Sequence, residues 1–207
     1  MPFFRKLLLK CACTNKTIDK SKYFNFATAM FSFSNPHISI ALPADVTAIT
    51  ALLNSAYRGE GSKQGWTTEA HLIAGDVRTE ESHLQQVMQL PKSIFATYIN
   101  EQQEITGCVN LQQSGEKIYL GMFSVSPQSQ GFGVGKQLLK AAEEYARHLQ
   151  CRAIYMTVIT AREELINWYK RYGYKDTGER KPFTEDNTGK HLQPLAFMFL
   201  EKEILAN

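Results

Sequence analysis

Residues 124–146 read SVSPQSQGFGVGKQLLKAAEEYA. Three glycines (Gly131, Gly133, Gly135) and Lys136 stand between a strand-like run and a helix-like run. On the N-terminal side, KIYLGMFSV (117–125) carries the β-branched and aromatic content of a strand. On the C-terminal side, Val134, Leu138, Ala142, Tyr145, Ala146 and Leu149 share one face of a helix over 133–149. A strand, a glycine turn and a helix start leave unpaired amides at the positive end of a helix dipole. Glycines let those amides approach an anion with no Cβ in the way. Lys136 in the first turn is unfavourable for a bare dipole and makes sense beside an anion. The stretch reads as a phosphate cradle; the plainer alternative is a glycine-rich turn.

Working outward, the chain divides into short elements. Asn35-Pro36 is a turn-like boundary, and HISIAL (37–42) alternates like a strand. Val46, Ile49, Leu52, Leu53 and Ala56 predict a first amphipathic helix ending near Arg58-Gly59. GEGSKQGW (59–66) is a loop, and Thr67 or Thr68 is expected to cap a short helix through Ile73. Thr79 is expected to cap another over EESHLQQVMQL, which stops before Pro91. SIFATYIN (93–100) and ITGCVNLQQ (105–113) predict an antiparallel hairpin. After the central stretch come a strand (153–159), a short helix from Glu163 to Arg171 ended by Gly173, a strand from 174, a polar loop with Asn187 and Gly189, and a last strand (195–204). This order predicts an α+β or mixed α/β sheet with helices on both faces.

Bulk properties narrow the classes. The 207 residues are 43% hydrophobic and 21% charged, which suits one domain with a sizeable core. Six of the 23 Lys/Arg, but only one acid, fall in residues 1–35. The body that remains, with 17 basic and 19 acidic residues, is near neutral and argues against a nucleic-acid-binding face. No run is long enough to span a bilayer, and no membrane partner is expected. Residues 1–35 read as an extension outside the fold: a transit-like segment for a eukaryotic organelle, or an over-extended start with Met30 as initiator. Cys11, Cys13, Cys108 and Cys151 form no ligand spacing, so no metal is expected; reduced thiols suit a cytoplasmic protein. Cys108 reads as a small core residue.

Spacing discriminates among phosphate loops. A Walker loop needs four residues between its glycines and Ser or Thr after the lysine. Here Gly131 and Gly135 are one residue too close, and Gln137 follows Lys136. A Rossmann fingerprint needs G-x-G-x-x-G, and GFGVG brings its last glycine one place early. The remaining pattern, Gln130-x-x-Gly133-x-Gly135, resembles the cradle of the GNAT N-acetyltransferase superfamily. ISIALPADVTAI (38–49) looks like that superfamily's opening, MFSVSPQSQGFGVG (122–135) like its fourth strand and cradle, and NWYKRYGYKDTGERK (167–181) like its last helix and following strand.

The resemblance implies a six- to seven-stranded, mostly antiparallel sheet over 36–207 and a ternary-complex transfer of acetyl from acetyl-CoA to a primary amine of a small polar molecule. It implies that the pantetheine arm pairs with Phe123, Ser124 and Val125, and that the Phe123 N–H polarises the thioester carbonyl. The pyrophosphate would meet the amides of Gly131, Phe132, Gly133, Val134, Gly135 and Lys136, beside Gln130. Tyr169 matches the family's general acid. Two departures stand out: Arg162 replaces a frequent asparagine and is a candidate ligand of CoA phosphate or of the substrate, or a plain solvated charge, and Tyr119 replaces a glutamate that often serves as base. Candidates for the base are then Glu69, His71 or Glu179, or a water chain alone. Trp66, Glu69 and Arg78 are candidates to line the acceptor pocket. Their mixed charges suggest a small polar amine, one whose carboxylate Arg78 could meet. A homodimer is compatible with this reading. The other classes are an acyl-CoA sensor without transfer, motivated by the missing glutamate, and an acetyltransferase of a protein N-terminus or lysine.

Overall fold

The computed structural model describes residues 31–184 and 189–204. Seven strands form one sheet: β1 (Ile38–Ile40), β2 (Ser93–Ile99), β3 (Ile105–Ser114), β4 (Lys117–Val125), β5 (Ala153–Ile159), β6 (Lys175–Pro182) and β7 (Ala196–Glu203). Their spatial order is β1-β2-β3-β4-β5-β7-β6. The helices are α1 (Val46–Tyr57), α2 (Glu81–Gln89), α3 (Val134–His148) and α4 (Glu163–Arg171). Short turns link β2 to β3 and β3 to β4, so those pairs are antiparallel. The α3 crossover returns the chain in the same direction, so β5 lies parallel to β4. Every other pairing in this sheet is antiparallel. The mixed sheet expected from the element order is the one observed.

Strand alternation divides the core between two faces. Cys108 joins Phe95, Leu84 and the α1 residues Val46, Ile49, Leu52 and Leu53 in one buried cluster. Its neighbour Gly107 faces the other way, against α3. A Cβ on Gly107 would stand 2.8 Å from a Val134 methyl and 2.9 Å from a Leu138 methyl, so glycine is what lets α3 seat this closely.

Two irregularities in β4 prepare the site. Pairing with β5 covers only Lys117–Tyr119, although β4 runs to Val125 and β5 to Ile159. Beyond Tyr119 the two strands diverge. On the other edge, the β3 register shifts between Cys108 and Asn110, so that Met122 and Phe123 together oppose Val109. Met122 takes φ 44° there, the left-handed backbone that non-glycine residues seldom adopt. A bulge of this kind bends the strand and frees backbone groups.

The connection between α1 and α2 departs from expectation. Residues 67–72 form turns and irregular backbone instead of a helix, and Ile73–Ala74 pairs with Lys190–His191 in a small two-stranded ribbon. Tertiary packing outweighs helix propensity here. Leu72 and Ile73 are buried with Ile159 and Leu195, and the Leu72 carbonyl accepts the Leu192 N–H at 2.9 Å. Gly59–Ser62, read as loop, makes one helical turn, and Glu80 rather than Thr79 takes the N-cap position of α2. Phe33 is buried, and the Ser34 N–H and hydroxyl both donate to the Glu144 carboxylate at 2.9 Å. The packed residues thus start slightly before Pro36. The transit-like segment, Met30, Cys11, Cys13 and the loop at Asn187 lie outside the described residues.

Candidate active site

The cradle is built by backbone conformation. Gly131 and Gly133 hold φ 85° and 84°, values that a Cβ would strain. A Cβ at either would meet no atom within 4 Å, so the space before them is open. Gly133 is the N-cap of α3 and has no side-chain cap. The first amides of α3 therefore keep their donor capacity and the positive end of the dipole. Gly135 serves differently. Its Cβ would stand 3.3 Å from the Trp168 ring, so a side chain here would crowd the indole.

A cleft runs from this loop along β4 to α4. Its walls include Phe123, Val125, Trp168, Tyr169 and Tyr172, with Trp66 across from them. Trp168 is the hub: ring centroids lie at 4.7 Å to Tyr172, 5.9 Å to Phe123 and 6.1 Å to Trp66. Gln130 ties the cleft's two sides together. Its Oε1 accepts the Trp66 N–H at 2.9 Å, and its Nε2 donates to Thr67 Oγ1 at 2.9 Å and to the Val125 carbonyl at 3.0 Å. The side chain is thus engaged in holding the loop and has no donor left for phosphate. Gln130 itself lines the cleft.

A second cavity, of about 150 Å³, opens where β4 and β5 diverge. Tyr57, Phe123 and Tyr169 line both spaces. Tyr169 is buried; desolvation, with smaller contributions from Tyr57 and Tyr174, holds its phenol well above the usual value. It therefore stays protonated and able to donate. The Tyr57 hydroxyl donates to the Phe123 carbonyl, inside the bulge. Burial, and then the Glu69 charge, raise the Tyr57 phenol as well.

Charge converges around Glu69, which lines this second cavity with Arg78 and Arg162, while Arg58 lies behind it. Arg58 Nη2 lies 3.3 Å from Glu69 Oε2, Arg78 Nε lies 3.9 Å from the same oxygen, and Arg162 Nη1 lies 3.9 Å from Glu69 Oε1. Arg162 also binds Glu164 through Nε at 2.6 Å and donates to the Trp66 carbonyl at 3.4 Å. Its Nη1 has no hydrogen-bond acceptor among the described residues. The Arg78 guanidinium carbon sits 5.9 Å from the Tyr57 ring centroid.

The structure sorts the expected residues as follows. Phe123 and Val125, Gly131, Gly133, Val134, Gly135 and Lys136 line the cleft. Ser124 is buried in the sheet, and Phe132 projects at the loop tip, 80% exposed. Arg162, expected beside the coenzyme or the substrate, is buried and lines the second cavity, where Glu164 and the Trp66 carbonyl hold it. Trp66 lines the cleft rather than the second cavity. Glu69, Arg78 and Tyr169 come together in the second cavity. His71 and Glu179 are exposed and line neither space. Tyr119, where the resemblance leads one to expect a glutamate, shares a 3.2 Å hydrogen bond with Thr157. Cys108 is buried, its thiol pushed up to about 12 by desolvation, as suits a core residue. Tyr57, Arg58 and Trp168 were not foreseen as site residues. Only the places of Tyr57 and Trp168 in helices, and of Arg58 at a helix end, were legible.

A family model described as the Acetyltransferase (GNAT) family matches residues 47–174. The spermine/spermidine N(1)-acetyltransferase of Bacillus subtilis is 31% identical over 64 residues, which are 30% of this chain and 42% of that protein. The chain spans about two fifths of the length of the curated relatives it matches. Among solved structures, smu.2055 from Streptococcus mutans superposes with TM-score 0.61 at 16% identity, covering 81% of this chain and 99% of that one. The ribosomal-protein-S18-alanine N-acetyltransferase from Escherichia coli gives 0.60 at 13% identity, with 82% and 95% covered. At these identities the superpositions establish the fold.

Proposed function

The chain belongs to the GNAT acetyltransferase family, and from that premise we propose that it transfers acetyl from acetyl-CoA directly to a primary amine of a small polar molecule, both held in one ternary complex. The observation that carries this reading is the divergence of β4 and β5 after Tyr119, where the glycine-lined cleft meets a second cavity at Tyr57, Phe123 and Tyr169. One space suits a coenzyme, the other an acceptor, and the shared wall is where the two would react.

The cradle fits the coenzyme. The φ values of Gly131 and Gly133, the open space before them and the uncapped start of α3 leave backbone donors for a diphosphate. Lys136 adds a charge beside those donors. Bound there, acetyl-CoA supplies an activated thioester. The chain's own groups do the rest. The free edge of β4 at Phe123–Val125 offers backbone groups to an extended arm. The Phe123 N–H, released by the bulge, polarises a carbonyl. Tyr57 holds the following peptide, Phe123–Ser124, through its hydrogen bond to the Phe123 carbonyl. Tyr169 donates a proton to the departing sulfur.

Among the residues lining the second cavity, Glu69 is the one carboxylate. It is the candidate to take the amine proton, and its arginine neighbours give it a competing role as counter-ion. Glu69→Gln separates the two. A base role lowers kcat most at low pH, with recovery as the amine deprotonates on its own. A pure counter-ion role lowers thermal stability and leaves the shape of the pH profile unchanged.

The absence of a strand-borne carboxylate at Tyr119 favours one second reading, an acyl-CoA sensor without transfer. Incubation with acetyl-CoA and a panel of amines and peptides, following free thiol, tests both. Thiol release dependent on a small amine supports transfer. Tight CoA binding with no thiol release supports the sensor, and release with peptides alone would redirect the acceptor to a protein.

A further inference from the structure

Residues 63–68 belong to no helix or strand, yet Trp66 and Thr67 form part of the cleft wall. Turns shape this strap from within. Its seat against the coenzyme loop is made by side chains. Gln130 supplies most of that seat through the Trp66 N–H and Thr67 Oγ1, while its remaining donor holds the Val125 carbonyl at the end of β4. The Thr67 hydroxyl in turn donates to the Ala56 carbonyl of α1 at 3.2 Å. Gln128 Nε2 donates to Gln64 Oε1 at 3.4 Å, and Arg162 holds the Trp66 carbonyl from the far side. Gly65 is what permits so close an approach. A Cβ there would stand 2.7 Å from Gln130 Oε1 and 2.9 Å from its Nε2.

Resting on the reading of this cleft as the coenzyme site, we propose that Gln130 is a positioning residue: it fastens the strap to the coenzyme loop, so that Trp66 closes the cleft opposite Trp168 and slows the coenzyme's escape. Both amide donors of Gln130 are taken, so it acts through Trp66 and not by gripping the diphosphate. Trp66 is 42% exposed and stands at the rim, where only these bonds and its contact with Trp168 keep the indole inward. A wall already fastened meets the bound arm at little entropy cost, whereas a loose strap must be ordered at every binding event.

The chain has two tryptophans, Trp66 and Trp168, and both line this cleft, so intrinsic fluorescence of the full-length protein reads the cleft directly. CoA itself is the probe. Its dissociation is followed by stopped flow, its affinity by calorimetry, and tryptophan access by acrylamide quenching. Gln130→Met should speed CoA dissociation about tenfold, the worth of one to two hydrogen bonds, and raise quenching in the CoA complex. Thr67→Val and Gly65→Ala alter only the strap and should act in the same direction. Thr67→Val should add little to Gln130→Met, because both cut the same bond. A merely structural loss would lower the melting temperature equally with and without CoA; here the rise in Tm that CoA induces should shrink. If Thr67→Val and Gly65→Ala release CoA as the unaltered protein does, Gln130 only braces the loop and the proposal is overturned. Unchanged quenching in all three variants overturns it as well. Failure of the transferase reading looks different. Strap variants that release CoA faster, in a protein that frees no thiol with any amine, would keep the strap and sink transfer. Thiol release with variants indistinguishable from the unaltered protein would do the reverse, and an unaltered protein that binds no CoA would overturn both.

Discussion

In the proposed transfer, burial is what suits Tyr169 to act as the acid. Desolvation keeps the phenol protonated across the working range, and α4 places it where both cavities meet. Tyr169→Phe should lower kcat by about 10²-fold or more, with CoA affinity unchanged by calorimetry. An unaltered kcat would remove the acid assignment. The pH profile follows from the same shift. A group whose pKa is raised stays protonated until the pH climbs through that raised value, which lies above the ordinary 10.0. Activity should therefore rise as the acceptor amine deprotonates and show no falling limb below about pH 10, the ordinary tyrosine value. A decline near pH 8 would point to another acid. Tyr169 was legible because it stands four residues before Gly173 in a family-like motif. Tyr57 was not, because its hydrogen bond to the Phe123 carbonyl joins residues distant in sequence. Tyr57→Phe should cost about fivefold in kcat, the worth of one hydrogen bond of ~1 kcal/mol.

At the scale of elements, the cradle glycines make distinct demands. Gly133 needs its φ of 84° and has open space before it. Gly133→Ala should weaken CoA binding by about tenfold through backbone strain of ~1–2 kcal/mol. Gly133→Asn should weaken it less, since asparagine visits the left-handed region more readily. Equal effects of the two, read by calorimetry, would show that steric access and not φ sets the requirement. Most of the sheet was legible at this scale. The runs at 117–125, 153–159 and 163–171 coincide with β4, β5 and α4, because each is a strongly patterned segment. Residues 67–73 misled, since Thr67 and Thr68 look like helix caps, yet Leu72 and Ile73 bury against Ile159 and Leu195. Contacts with a distant strand outweighed a weak local preference.

At the scale of the whole molecule, α3 must lie close to the sheet for its N-terminus to face the cleft. Gly107 sets that distance. Gly107→Ala would overpack the interface with Val134 and Leu138 at a cost of ~1–3 kcal/mol, lowering Tm by about 2–12 °C for a chain of this size. No shift in a thermal melt would mean that α3 can move outward freely, and CoA binding should then weaken instead.

The amino-acid order alone determined the strand–glycine–helix cradle and the alternation of elements, since both arise from neighbours within a few residues. The arginine-lined cavity was decided only by folding. Arg58, Glu69, Arg78 and Arg162 come from four separate segments, and each looks like an ordinary surface charge until burial removes water and compels the charges to answer one another.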